Sequence, residues 1–162
     1  MQIRKNSGFT LLEALITVAV LSILVALAVP SFKEMMDRNA VTSAANSLLS
    51  SVLMARSEAV KREQRVVIAR QGSDWKSWQV FTDANNNGTY DSGTDELIAE
   101  HASDEGLSFS KIGNLGNFLS FSPRGRASLQ ADDGLKIAKG SHTRYLCFST
   151  TGRPRVQEDP CS

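Results

Sequence analysis

Apolar residues are laid along this chain in three regimes. From Phe9 to Val29 they are nearly continuous, since FTLLEALITVAVLSILVALAV contains one charge, Glu13, and neither Gly nor Pro. As a helix this run spans roughly 32 Å, the depth of a bilayer core. After Pro30 the pattern becomes periodic. Val41, Ala44, Leu48, Val52, Ala55 and Ala59 recur at helical spacing, with Arg38, Thr42 and Asn46 elsewhere on the cylinder. That pattern predicts one long helix over residues 9 to about 63, whose outer half carries an apolar stripe in need of a cover. Pro30 lacks an amide proton and clashes one turn back, so a kink or local melting is expected near Ala26. Beyond Arg65 the period moves toward two. The β-rich runs are Arg65–Arg70, Trp75–Thr82, Glu96–His101, Gly106–Ile112, Phe118–Ser122, Leu135–Lys139 and Tyr145–Ser149, separated by Gly, Asn, Asp and Pro. Antiparallel strands in one small sheet or two, laid on the helix stripe, give an α+β fold with a long N-terminal helix and a C-terminal β head.

The order of these regimes carries topology. Arg4 and Lys5 precede the apolar run, so the positive-inside rule predicts a cytoplasmic N-terminus, a single pass through the inner membrane and a periplasmic head. A secretory signal places small residues after its apolar stretch, and Val29-Pro30-Ser31 suits that poorly. The small residue lies before the stretch instead, in Ser7-Gly8-Phe9-Thr10.

The segment GFTLLEALITVAVLSILVALAVPSF resembles the class III leader and first helix of type IV pilins and type II secretion pseudopilins. The resemblance implies a leader at 1–8, cut after Gly8 by a prepilin peptidase that N-methylates Phe9. It also implies a membrane and filament-core half-helix at 9–29, an amphipathic half at 30–64 and a β-rich head at 65–162. Assembly with other pilins, and an extracellular pilus as destination, follow from the same likeness. Strand spacing and the segment DANNNGTYDSGTDE resemble the GspH/FimT/FimU branch, whose members are minor pilins or minor pseudopilins. Chemistry supports the assembly role of Glu13 independently. A carboxylate inside a bilayer persists where it finds a partner. Glu13 lies one turn from Phe9, within reach of a stacked neighbour's N-terminal ammonium, and such a contact sets axial register.

Composition bounds what the head can do. With 162 residues, 41% hydrophobic and 22% charged, the chain supports one globular domain plus an attached element. Loss of residues 1–8, with Arg4 and Lys5, takes the formal charge from +1 to −1, so bulk charge predicts no polyanion partner. The charges are segregated, however. Residues 83–105 hold Asp83, Asp91, Asp95, Glu96, Glu100, Asp104 and Glu105 without Lys or Arg, whereas residues 121–155 hold seven basic residues against Asp132 and Asp133. In an exported head, Cys147 and Cys161 read as one disulfide worth roughly 3 kcal/mol; in a reducing compartment they read as two thiols.

Two segments suggest chemistry. Asp83, Asn85, Asn87 and Asp91 fall at alternate positions of a calcium loop, with Gly88 at its sharp turn, but Thr94 stands where the bidentate Glu belongs. The same residues serve a metal-free turn, and both readings stand. In the tail TTGRPRVQEDPCS, Arg153 and Arg155 flank Pro154 after Gly152, and a Cys147–Cys161 bridge would hold this segment as a constrained, exposed loop. In an extended chain their side chains point the same way, about 7 Å apart. This matches the spacing of successive phosphates on a DNA strand. Arg124, Arg126, Lys136, Lys139 and Arg144 are candidates to widen the patch. Gly152, Arg153 and Arg155 resemble the tail of FimT-type minor pilins associated with DNA capture in natural transformation, which implies sequence-independent, salt-sensitive contact with double-stranded DNA. The alternative is a structural or priming minor pilin, or a type II secretion pseudopilin, whose arginines solvate a β edge or pair with Glu158 and Asp159. His101 and His142 are isolated and no phosphate loop or paired-carboxylate spacing appears, so no enzyme and no cofactor are expected, calcium apart. Trp75 and Trp78 read as core aromatics rather than a platform for bases.

Overall fold

The computed structural model describes residues 9–104, 106–129, 133–149 and 151–161, which divide into two units between Met36 and Asp37. Gly8, Arg4 and Lys5 lie outside the described residues, as do Glu105 and Asp132.

Helix α1 spans Leu11–Arg62. It opens on a capping box. The Thr10 hydroxyl accepts the Glu13 amide at 3.2 Å, while Glu13 Oε2 accepts the Thr10 amide at 3.3 Å and the Thr10 hydroxyl at 3.2 Å. These contacts satisfy two of the amides that a helix start leaves unpaired. In the first unit every described residue from Phe9 to Met36 is exposed, so this part of α1, nearly all apolar as far as Val29, carries no core of its own. It remains helical through Pro30, which corrects the melting expected near Ala26. Proline there costs one bond of the ladder, and the backbone resumes its pairing on either side.

The second unit starts at Asp37, so the outer part of α1 and the strands form one body. Eight strands follow the helix: β1 Val66–Arg70, β2 Ser77–Thr82, β3 Leu97–Ala102, β4 Ser108–Ile112, β5 Phe118–Phe121, β6 Gly134–Lys139, β7 His142–Phe148 and β8 Pro154–Gln157. They make two antiparallel four-stranded sheets, β3-β2-β1-β5 and β4-β6-β7-β8. Seven match the expected runs within a few residues. Trp75 falls before its strand, β7 starts three residues early, and β8 lies in the tail that the sequence marked as a loop.

All six stripe residues of α1 are buried. Val66, Ile68, Trp78, Val80, Leu119 and Phe121 of the first sheet meet them in one core with Leu135, Ile137, Leu146 and Phe148 of the second. Each large apolar side chain buried in this way contributes about 1.5–3 kcal/mol. Trp78 Nε1 donates to the buried Ser51 hydroxyl at 2.9 Å and its ring stacks on His101 at 4.5 Å; Trp75 is buried too, so both tryptophans are core residues. The first sheet has a second covered face, where Val67, Ala69 and Phe81 pack with Tyr90 and Phe118. That is why β1 is buried along its length rather than at alternate positions.

Candidate functional site

The tail is built on the β7–β8 ladder. Tyr145 pairs with Gln157, Leu146 with Val156, Cys147 with Arg155 and Phe148 with Pro154. One step on, Ser149 N donates to the Arg153 carbonyl at 3.1 Å and Arg153 N donates to Ser149 Oγ at 3.1 Å. Direct partners in a ladder share a face. Arg153 and Arg155 therefore stand on one face, exposed, and Pro154 between them is buried. The reading of this segment as an exposed loop is corrected to an edge strand. Proline is tolerated at its first position because no ladder bond is asked of that nitrogen. The strand is entered through Gly152, at φ 74°, where a β-carbon would lie 2.4 Å from Ala127 Cβ. Only glycine meets both conditions.

A Cys147–Cys161 disulfide, with α-carbons 5.4 Å apart, ties the end of the chain back to β7. Its sulfur sits over Gly134, where a β-carbon would approach Cys161 Sγ to 2.7 Å and the Leu146 carbonyl to 2.6 Å. The bridge and Arg155 occupy the same outer face of the second sheet, because Gly134, Cys147 and Arg155 form one row across it. Lys136, in the neighbouring row with Tyr145 and Gln157, is exposed on that face too.

Two of the candidate basic residues are turned to other work. Lys139 pairs with Asp37 of α1 at 3.5 Å, and Arg144 pairs with Glu158 at 2.7 Å. By ladder parity both belong to the opposite face from Lys136. Arg124 and Arg126 are exposed on a tight turn after β5, closed by Gly125 N to Ser122 O at 2.8 Å and Ser122 N to Arg126 O at 2.9 Å. Gly125, at φ 72°, presses on α1 beside Val60 and Arg56. Arg56 was not singled out by sequence. Its only signal was a long cation on the helix flank, two positions before Glu58.

The acidic loop is organised by its own amides. Asp83, buried, accepts Asn87 N and Gly88 N at 3.0 Å each and lies 3.4 Å from Arg65 Nε. Asp95 accepts Ala84 N at 3.1 Å and Asp91 N at 2.9 Å. Asn85 and Asn87 side-chain amides both donate to Asp91 Oδ2 at 2.8 Å, and those two bonds, Asn85 first, hold the Asp91 carboxyl below its usual range. The loop carries Tyr90 edge-on to Phe81, ring centres 5.6 Å apart, and sets Gly88 against the Phe118 ring. It is a lid on the second core. Among the described residues no group of three His, Cys, Asp or Glu side chains converges as a metal site. His101 is stacked on Trp78, and His142 faces Lys139 across a ladder.

Comparison with known proteins places this architecture. A family model described as type II transport protein GspH matches residues 44–152, which includes the helix stripe from Ala44, the first sheet, strands β4, β6 and β7 of the second and Gly152 at the entry to the tail. The chain belongs to the GspH family. Its N-terminus matches the prokaryotic N-terminal methylation motif over residues 3–29. This GspH chain is 32% identical over 155 residues to a pilin-like protein, PilA1, of Thermus thermophilus, across 93% of this chain and 97% of that protein. Its fold is similar to the type IV minor pilin FimU of Pseudomonas aeruginosa (TM-score 0.60, 23% identity, 78% of this chain and 92% of that one). It is also similar to the minor pseudopilin EpsH of the Vibrio cholerae type 2 secretion system (TM-score 0.55, 16% identity, 73% and 96%). The protein is a minor type IV pilin or pseudopilin of this family, with the pilin fold.

Proposed function

We propose that this subunit is a minor type IV pilin that binds double-stranded DNA through phosphate contacts by Arg153 and Arg155, during natural transformation. One observation carries this reading: the β7–β8 register sets both guanidiniums on one solvent face, on a strand held by a glycine turn at one end and a disulfide at the other. Arginine contacts phosphate bidentately without reading bases, which suits DNA of arbitrary sequence. The apolar half of α1 anchors the precursor in the inner membrane with the head in the periplasm. A prepilin peptidase cuts after Gly8 and methylates Phe9, and Glu13 and Pro30 serve packing among other pilins. The role is binding and assembly, without catalysis and without a cofactor.

Among the described residues every buried one lies at or beyond Val41, so a soluble head of residues 33–162 keeps that core. This head is expected to retard DNA in a gel at low salt and to lose affinity steeply as salt rises. Arg153→Gln with Arg155→Gln is expected to abolish the shift. A second reading, a structural or priming minor pilin or a secretion pseudopilin, draws support from the internal pairing of Lys139 and Arg144. It wins if the double variant binds like the parent, or if the parent does not bind.

A further inference from the structure

We infer that Arg56 of α1, with Arg124 and Arg126, forms a phosphate-sized anion site that sequence spacing does not reveal. It deepens the DNA face proposed above and rests on that reading. The geometry begins at Gly125, whose positive φ and missing side chain let the Arg124-Gly125-Arg126 turn close on the helix. A β-carbon there would meet Val60 Cγ2 at 3.1 Å, Arg56 Nε at 3.4 Å and Arg56 Cγ at 3.8 Å. The Arg56 side chain thus runs across the α-carbon of Gly125, between two further arginines in sequence. Arg56 is half-buried, and Arg124 and Arg126 are exposed.

Neutralising carboxylates are committed elsewhere. Glu58, the nearest acid along the helix, pairs with Arg62 at 2.6 Å and Lys61 at 3.4 Å, and Arg62 also pairs with Glu96 at 2.6 Å. Among the described residues, no ion pair includes Arg56, Arg124 or Arg126. Arg56 lies against the turn whose flanking residues are both arginines, and a phosphate oxygen set accepts from several planar forks at once. The site also abuts the tail. Ala127, the residue after Arg126, is the surface on which Gly152 packs, so the turns bearing Arg126 and Arg153 touch. A polyphosphate strand bound at Arg153 therefore has the Arg126 turn beside it.

The test uses the full-length protein in a non-ionic detergent, with binding to a fluorescent DNA duplex measured across a salt series. Each phosphate contact adds about 0.9 to the steepness of log K against log salt. Arg56→Gln is therefore expected to flatten the slope by about 0.9, and Arg56→Lys, which keeps the charge, to restore most of it. Thermal melting checks that both variants are folded. In parallel, inorganic pyrophosphate is titrated into arginine-labelled protein while the Nε–Hε resonance missing from Arg56→Gln is followed. That resonance is expected to shift, and Arg124→Gln with Arg126→Gln to abolish the shift. If the parent ignores DNA yet pyrophosphate moves the resonance, the DNA reading falls and the anion site stands. If the slope is unchanged in folded Arg56→Gln, or if pyrophosphate leaves the resonance in place, the site is overturned.

Discussion

Gly152 is held to glycine by two separate demands, a left-handed backbone and the face of Ala127. Gly152→Ala is expected to cost about 2–4 kcal/mol, the sum of backbone strain and overpacking. Urea denaturation of the head measures it, and adding Ala127→Gly should recover the overpacking share while leaving the backbone share. Asp91 makes a different prediction. Its pKa lies below the ordinary 3.8 because the Asn85 and Asn87 amides favour its charged form. The stability from those bonds is complete above that ordinary value and is lost as pH falls below it. Urea midpoints followed from about pH 5 to about pH 3 should fall less steeply in Asp91→Asn than in the parent. The sequence disclosed the residues of this loop but not their use. Alternating oxygens look alike whether they face a cation or a row of amides, and only the folded backbone brings Asn87 N and Gly88 N to Asp83. With those oxygens occupied, millimolar calcium is expected to leave the melting temperature of the head unchanged, as calorimetry can read.

Among the elements, α1 and seven strands were legible because their periods are simple: 3.6 along Val41 to Ala59, and near two after Arg65. The eighth strand was not. Gly152 and Pro154 are turn residues by propensity, and β8 exists because β7 offers it a ladder and the Cys147–Cys161 bridge keeps it there. Reduction of that bridge is expected to remove roughly 3 kcal/mol. It should also raise the exchange rate of the Arg155 and Gln157 amides well above those of β6, read by hydrogen exchange with and without reductant. The capping box of α1 is written in Thr10-Leu11-Leu12-Glu13, where Glu13 is both a charge in an apolar run and the third residue of a helix start. At Pro30 the helix does not melt, because one lost bond leaves the ladder intact on either side.

For the whole molecule, the proposed assembly role makes a plain prediction. Glu13→Ala should leave the head folded while the subunit disappears from sheared fibres, and the mature parent should have the mass of a chain beginning at N-methylated Phe9. The broad outline of fold and candidate site was readable, yet the assignment of cations to faces was not. Parity along β6 and β7 decides that Lys136 looks outward and Lys139 toward Asp37, and no sequence period fixes where a ladder begins. The brevity of β8 and its opening proline have a further effect. A fibre crowds many such heads together, and a bare strand margin in a crowd invites sheet-to-sheet polymerisation. A four-residue border with one missing amide and a cation at its second position is a poor template. In the proposed fibre, this edge would be a poor place for neighbouring heads to zip together, which would leave adhesion there to the oily N-terminal rods.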